Sequence, residues 1–271
     1  MLSFDEWESK LKNWQKQSRS RVIGKNAIFL SEIDSTNKYL KEKTQLSNGT
    51  IVAAYQQTQG KGQKNRTWIS NPGGLYVSIK LDMKPLKEFQ PFWITASVPV
   101  GLCKAIQELE LEPLIKWPND ILINNKKVSG ILTETILTND KIVAIIGLGI
   151  NIDNSLENVF TTFPELQLKI SSLSKELSQK SSIDITALLE STILYVEEKL
   201  LTPTSTTLHE IKQDWLNFSQ IEHKTVEIEI LETKKKTIGI VQKVTDSGSL
   251  LIKHPTGILE EYTSGDIKIQ R

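Results

Sequence analysis

The feature of the sequence that most restricts its fold is a near-continuous apolar run from Lys141 to Ile152. A run that is apolar at successive positions is typical of a strand covered on both faces. We therefore expect a layered domain in which this strand is enclosed by other elements. The run ends in Gly147-Leu-Gly-Ile-Asn151. Its two glycines leave room either for a ligand against the backbone or for a closely packed helix.

Helical and strand patterns on both sides of this run predict an α/β (α+β) domain. Two β-rich runs between Ile121 and Ile136 flank Asn124-Asn125, which predicts a β-hairpin. The other predicted strands are Ile28–Leu30, Ile51–Tyr55 and Leu75–Leu81. The other predicted helices begin near Ser35 or span Pro91–Leu111, Asp184–Leu200 and Thr207–Phe218.

The N-terminal residues predict a separate amphipathic helix. Ser3 and Glu6 have capping-box spacing, and Trp7, Leu11 and Trp14 follow at the spacing of one helical face. We expect this face to pack on the main domain. The basic residues that follow, from Arg19 to Lys25, are expected to form a solvated linker, because they lack the interleaved aromatic residues of a nucleic-acid patch.

After His223 the chain changes to short β-rich runs separated by turn residues, which predicts a small β-barrel. The predicted strands are Val226–Leu231, Thr237–Val244, Ser249–Lys253 and Ile258–Tyr262. We therefore divide the chain into a helix and linker (1–25), a large domain (26–223) and a small C-terminal domain (224–271).

Composition excludes several functional classes. Lys and Arg total 33 against 32 Asp and Glu, so a net charge of +1 gives no electrostatic support for DNA binding. No uncharged stretch approaches the roughly 20 apolar residues of a membrane span. The single Cys103 and the absence of a signal-like N-terminus favour the cytoplasm. The three histidines lack ligand spacing, and neither a G-x-S-x-G elbow nor a G-x-x-x-x-G-K-[ST] loop occurs.

Three segments carry candidate binding chemistry. The loop from Gln57 to Trp68 contains two glycines and three cations, which is typical either of an anion-binding loop or of a mobile basic connection. The pair Asn119-Asp120 offers an amide and a carboxylate to a nucleotide or Mg²⁺, or else forms a turn. Lys127 lies on a strand leading to Gly130, where it either binds developing negative charge or is simply solvated.

The order of these segments resembles the biotin protein ligases from Ile28 onward. Five segments carry the resemblance: Asp34-Ser-Thr-Asn37, the loop Gln57–Trp68, Lys116-Trp-Pro-Asn-Asp120, Lys127-Val-Ser-Gly-Ile-Leu-Thr-Glu134, and Gly147-Leu-Gly-Ile-Asn151. The resemblance implies a mixed-sheet catalytic domain similar to the class II aminoacyl-tRNA synthetases, with an SH3-like C-terminal barrel. Members of this family join biotin and Mg-ATP into biotinyl-5′-AMP. They then transfer biotin to a lysine of a biotin carboxyl carrier protein or domain.

The resemblance also implies roles for individual residues. Lys127 would bridge the biotin carboxylate and the α-phosphate, and Asp120 would serve Mg²⁺ through the nucleotide. The residues implied for biotin are Ser35, Thr36, Asn37, Gln57, Gly60, Lys61, Gly62, Gln63, Gly130 and Gly147. Those implied for ATP and the adenylate are Lys64, Arg66, Trp68, Asn119, Asp120 and Asn151. No zinc, haem or flavin is implied.

The sequence departs from the family loop, because Lys61, Gln63 and Asn65 replace two arginines and a glycine. The 33 residues before Asp34 show one helix rather than the DNA-binding domain of bifunctional members, so we expect a monofunctional ligase. Two alternatives remain open. A lipoate or octanoate ligase has a related fold but an R-R-x-S-G-G-G loop that is absent here, and a non-catalytic regulator would bind biotin without consuming ATP.

Overall fold

A computed structural model describes residues 2–43, 45–63, 66–83, 91–137, 142–177, 182–201, 204, 206–230 and 234–270. None of the helices within these ranges is long and apolar enough to span a membrane. The predicted strand ends at Lys141 and Leu231 lie outside the described residues.

Seven strands form one mixed sheet. They are β1 (Ala27–Ile33), β2 (Ile51–Gln57), β3 (Leu75–Met83), β4 (Leu114–Lys116), β5 (Asp120–Ile123), β6 (Lys126–Leu137) and β7 (Ile142–Ile150). Their spatial order is β1-β2-β3-β7-β6-β5-β4. The β1–β2 pair is parallel, and the other neighbouring pairs are antiparallel. The mixed sheet expected from the sequence is confirmed.

The helices are α1 (Phe4–Gln17), α2 (Thr36–Glu42), α3 (Pro91–Gln107), α4 (Glu157–Thr162), α5 (Leu173–Glu176), α6 (Ile185–Leu201) and α7 (Thr207–Ser219). A 3₁₀ turn spans Pro164–Leu166. α3 ends before the predicted Leu111, because the chain leaves the helix in a turn where Glu110 has a φ of 59°.

β7 is enclosed from both sides, as its apolar run predicts. Val143 and Ile145 belong to a small hydrophobic cluster with Leu40 of α2. Ala144 and Ile146 belong to the main core cluster, which includes residues of α3, α6 and α7. Since successive side chains of a strand point to opposite faces, helices cover the sheet on both sides.

The predicted hairpin is confirmed, because β5 and β6 pair in antiparallel register on either side of Asn124-Asn125. Asn124 has a φ of 50° and Asn125 a φ of 63°. Two successive left-handed residues are the requirement of a type I′ turn, and asparagine tolerates that conformation better than most residues.

The N-terminal helix forms and packs as predicted. Ser3 and Glu6 make both hydrogen bonds of a capping box, and Trp7, Leu11 and Trp14 are buried. The following linker is more ordered than expected. Its backbone and serine hydroxyls donate hydrogen bonds to two carboxylates of α6, Glu190 and Glu197. The sequence pattern showed only the basic side chains of the linker. Its backbone hydrogen bonds to Glu190 and Glu197 leave no such pattern.

The C-terminal strands form a second, antiparallel sheet. They are β8 (Thr225–Glu229), β9 (Lys236–Val244), β10 (Leu250–Lys253), β11 (Leu259–Tyr262) and β12 (Asp266–Ile269), in the order β11-β10-β9-β8-β12. The sequence did not predict β12. Among the described strands, β11 and β12 do not pair with each other, so this sheet is not a closed barrel.

Two consecutive residues join the C-terminal sheet to the large domain. Lys116 Nζ forms an ion pair with Asp266 Oδ1 at 2.5 Å. The buried Trp117 Nε1 donates to the carbonyl of Gly248 at 2.9 Å. Gly248 has a φ of +81°, and a Cβ there would lie 2.1 Å from the Phe92 ring, so the turn requires glycine.

Candidate active site

One cleft lies where α2 begins, at the ends of several strands of the large sheet. Its cavity volume is about 130 Å³, and it is partly open to solvent. This is smaller than the roughly 300–1,000 Å³ of typical small-molecule sites, so a small ligand would also occupy the open part of the cleft.

The structure brings most of the predicted site residues together around this cleft. The predicted residues that line it are Ser35, Thr36, Asn37, Gln57, Lys61, Gly62, Gln63, Arg66, Trp68, Asn119, Asp120, Lys127, Gly130 and Gly147. The sequence interpretation missed Thr67, Ile131, Leu132, Leu148 and Gly149, all of which lie inside or beside the motif segments. Lys64 lies outside the described residues.

Two predicted residues do not line the cleft. Gly60 is buried within the loop, and a Cβ on it would lie 2.4 Å from the carbonyl oxygen of Trp68. Asn151 is buried, and its amide donates to the carbonyl of Ser171 while accepting from Asn154. The polar group of Asn151 is therefore engaged in holding the segment after β7.

Ser35, Thr36 and Gln57 form what we call the polar end of the cleft. Ser35 is the N-cap of α2, and its side chain accepts from the Lys38 N–H. This capping places Thr36 in the first helical turn. Gln57, at the end of β2, accepts from both the backbone N–H and the hydroxyl of Thr36, at 2.9 and 3.1 Å. The polar end is thus rigid and held by its own hydrogen bonds.

The floor of the cleft depends on glycines of β6 and β7. A Cβ on Gly147 would lie 2.4 Å from Asn37 Oδ1, and a Cβ on Gly149 would lie 2.5 Å from the Trp68 indole. At Gly130 the corresponding contact with Trp68 is 3.0 Å. These glycines therefore admit the Asn37 amide and the Trp68 ring against the backbone.

The loop after β2 is a compact hairpin within its described residues. Lys61 and Thr67 form an antiparallel bridge, and Trp68 N–H donates to Gly60 O at 2.8 Å. Gly62 N–H likewise donates to Arg66 O at 2.7 Å. This pairing holds Lys61 and Arg66 at the cleft, which suits an anionic ligand.

Lys127 lies within the cleft rather than in bulk solvent. Its ammonium is 2.7 Å from Asp120 Oδ1, and it lies 5.1 Å from the centre of the Trp68 ring. Its backbone pairs with the segment after α4, because Lys127 N–H donates to Lys169 O and Lys127 O accepts from Ser171. A backbone held on both sides aims this lysine at the cleft.

A half-buried carboxylate, that of Glu134, supports the floor of the cleft. Glu134 Oε2 accepts from Asn37 Nδ2 at 3.0 Å, and Oε1 pairs with Lys41 at 2.7 Å. Burial acts to raise the pKa of Glu134. The hydrogen bonds from Lys41 and Asn37, together with the charges of Lys41 and Lys61, outweigh burial and lower this pKa. Glu134 is therefore held as an anion beside the loop cation.

The cleft offers few metal ligands. Within the described parts of the chain, no three His, Cys, Asp or Glu side chains lie close enough together to hold a metal ion. Asp120 and Asn119 line the cleft and carry oxygen donors. Mg²⁺ is commonly bound by one or two carboxylates together with substrate phosphates, so these two residues fit an ion that arrives with a nucleotide.

Comparison with known proteins agrees with this geometry. The model of the biotin/lipoate A/B protein ligase family matches residues 29–151. The bifunctional ligase/repressor BirA of Bacillus subtilis is 32% identical over 259 residues, which cover 93% of this chain and 76% of that protein. BirA of Escherichia coli is 26% identical over 264 residues, which cover 94% of this chain and 77% of that protein.

The chain is also similar to solved structures of biotin protein ligases. The structure of a biotin protein ligase from Aquifex aeolicus in complex with biotin and ATP matches with a TM-score of 0.72 and 30% identity. The match covers 91% of this chain and 99% of that chain. A biotin protein ligase from Leishmania major, in complex with biotinyl-5-AMP, shares the fold at a TM-score of 0.55 and 19% identity.

Proposed function

Because this chain belongs to the biotin protein ligase family, we propose that it activates biotin with ATP to biotinyl-5′-AMP and transfers biotin to a lysine of a biotin carboxyl carrier domain. One observation carries the proposal. The motif segments converge on a single cleft that is lined both by the hydrogen-bonding groups of Ser35, Thr36 and Gln57 and by the Lys127–Asp120 pair. Such a cleft suits a ligand with a polar ring, an apolar arm and a carboxylate.

Lys127 is the proposed catalytic residue. Its ammonium exchanges Asp120 for the biotin carboxylate and the α-phosphate, and stabilises the negative charge that grows as the carboxylate oxygen attacks phosphorus. Pyrophosphate leaves, and the acyl carbon of biotinyl-5′-AMP is then attacked by the acceptor lysine amine, which loses a proton as the amide forms and AMP departs. The Lys127 backbone is held at the cleft on both sides, which reduces the cost of reorganisation.

The polar end is proposed to bind the ureido ring of biotin, Lys61 to contact biotin, and Arg66 to bind the phosphate of the adenylate. Trp68, whose ring lies against Gly130 and Gly149, is proposed to cover the adenylate intermediate. Together with Gln63, the loop excludes water that would hydrolyse the adenylate. Asn37 serves indirectly, since its amide is committed to Ser78, Leu132 and Glu134.

We infer that ATP brings Mg²⁺, which Asp120 and Asn119 would help to hold. Bound there, the ion would neutralise phosphate charge. Lys64 and Asn151 remain proposed adenylate residues on the family resemblance alone. The C-terminal sheet is proposed to correspond to the SH3-like module of the family, and the large domain to its synthetase-like fold. We place the reaction in the cytoplasm, where the lone buried Cys103 stays reduced.

The test is ATP–pyrophosphate exchange measured with biotin, with lipoate and with no acid. We expect exchange with biotin alone. Lys127→Ala should abolish exchange while weakening biotin binding less, since the ureido contacts remain. Lys126→Ala is the matched control, because this neighbouring lysine does not line the cleft. Exchange with lipoate instead of biotin would favour a lipoate ligase, and biotin binding without exchange would favour a non-catalytic regulator.

A further inference from the structure

Two buried serines outside the five motif segments lie at the ends of a hydrogen-bond chain through the polar end. Ser70 is 3% exposed and Ser78 is fully buried. Ser78 Oγ donates to Thr36 Oγ1 at 2.6 Å, and Thr36 Oγ1 donates to Gln57 Oε1. Gln57 Nε2 donates to Ser70 Oγ at 2.7 Å, and Ser70 Oγ donates to the carbonyl of Trp68.

The donor-to-acceptor direction of the hydrogen bonds at Gln57 is fixed by neighbouring groups that can only donate or only accept. The backbone N–H of Thr36 can only donate, so the amide oxygen of Gln57 must face it. The amide nitrogen of Gln57 then faces Ser70, whose oxygen accepts. The single hydrogen of Ser70 passes to the carbonyl of Trp68, which can only accept.

Asn37 fixes the direction at the other end. Its amide nitrogen donates to the carboxylate of Glu134 and to the carbonyl of Leu132, neither of which can donate in return. Its amide oxygen therefore faces Ser78, at 2.6 Å. Ser78 gives its one hydrogen to this amide oxygen, and its bond with Thr36 Oγ1 either shares that hydrogen or uses the hydrogen of Thr36. In both arrangements Thr36 Oγ1 keeps at least one lone pair.

The remaining hydrogen-bonding capacity is what the polar end can present to a ligand. Thr36 Oγ1 retains one lone pair, and Gln57 Nε2 retains one N–H. One acceptor beside one donor matches a ring that carries both an N–H and a carbonyl, as a cyclic urea does. A dithiolane ring has neither group and would leave both unpaired, which is costly in a buried site.

We propose that Ser70 and Ser78 are positioning residues that set the donor and acceptor pattern of Gln57 and Thr36, and thereby select a cyclic urea. The inference rests on the proposed function. Ser78 holds the Thr36 hydroxyl with its lone pair available, and Ser70 holds the Gln57 amide with one N–H available. Neither serine lines the cleft, so each acts through its neighbour.

The test measures the dissociation constants of biotin and ATP for Ser78→Ala and Ser70→Ala by calorimetry. We expect each variant to bind biotin about tenfold more weakly, the effect of losing about 1.4 kcal/mol, with ATP affinity changed less than twofold. Ser97→Ala is the matched control, since this fully buried serine donates one hydrogen bond to Ile94 O within α3. It should change neither constant.

A double-mutant cycle separates positioning from a general loss of structure. In a Thr36→Val background no hydroxyl remains to be held, so adding Ser78→Ala should change biotin affinity less than twofold. An undiminished tenfold loss in that background, or an equal loss of ATP affinity, would overturn the inference. Failure of the unmodified protein to bind biotin would instead overturn the proposed function, and the inference with it.

Discussion

At the scale of single residues, the site is built by pairs in which one partner makes room for the other. Gly147 and Asn37 are such a pair, as are Gly149 and Trp68. The sequence left these glycines open to two interpretations, a ligand or a packed helix. The structure shows that side chains of the site itself occupy the space against them, which depends on tertiary contacts that spacing cannot reveal.

Gly147→Ala tests the first pair. The new methyl group would lie 2.4 Å from Asn37 Oδ1, so the Asn37 amide must move and the hydrogen bonds around Ser78 must change. We expect biotin affinity to fall at least tenfold in calorimetry. Ile142→Val, at the start of the same strand, is the control. It should cost roughly 0.5–1.5 kcal/mol of stability without weakening biotin binding, and equal binding losses in both variants would contradict the pairing.

Gln63 is the loop position where the family has an arginine. Gln63→Arg adds a cation at the lining of the cleft, so we expect slower release of biotinyl-5′-AMP, by several-fold, in a filter or stopped-flow assay. Gln59→Arg makes the same charge change at an exposed position that does not line the cleft. If both variants slowed release equally, the added positive charge would act at long range rather than through a contact at the cleft.

At the scale of elements, sequence patterns predicted those that carry their own signal. The capping box, the apolar run of β7 and the asparagine pair of the hairpin all formed as expected. The short elements β4, β12, α4 and α5 were missed. Each has only three to six residues, so its conformation is decided by the neighbour it pairs with or packs on rather than by its own periodicity.

The linker between α1 and β1 is held by Glu197, which accepts from Ser20 and from the backbone N–H groups of residues 21–23. Burial raises the pKa of Glu197, but these hydrogen bonds outweigh it and the pKa is lowered. A lowered carboxyl pKa stabilises the fold above the unfolded value of about 4.3, and this contribution is lost as the pH falls through the folded value.

Glu197→Gln should therefore lower the free energy of unfolding by about 2 kcal/mol at neutral pH. The difference from the unmodified protein should shrink below about pH 4. Glu198→Gln is the control, since the Glu198 carboxylate pairs with Lys199 while 68% exposed. It should cost less than about 0.5 kcal/mol. A difference that is constant with pH would show that shape, not charge, holds the linker.

At the scale of the whole molecule, the segment Lys116–Asp120 contacts the C-terminal sheet at its start and lines the cleft at its end. Lys116 and Trp117 hold the C-terminal sheet, while Asn119 and Asp120 line the cleft. The sequence predicted the large domain and the C-terminal domain as separate units. It did not predict the contact between them, because the residues in contact are far apart along the chain. The C-terminal sheet therefore contacts the segment that places Asn119 and Asp120 at the cleft.

Trp117→Phe tests this connection, because it keeps a buried ring but loses the hydrogen bond to Gly248 O. Trp215→Phe is the matched control: Trp215 is equally buried, and its Nε1 has no hydrogen-bond partner among the described residues. Trp117→Phe should be less stable than the control by about 1–2 kcal/mol in denaturant unfolding. It should also raise the KM for ATP, since Asn119 and Asp120 follow directly in the chain. Equal stability and an unchanged KM would mean that the C-terminal sheet is attached to this segment without positioning it.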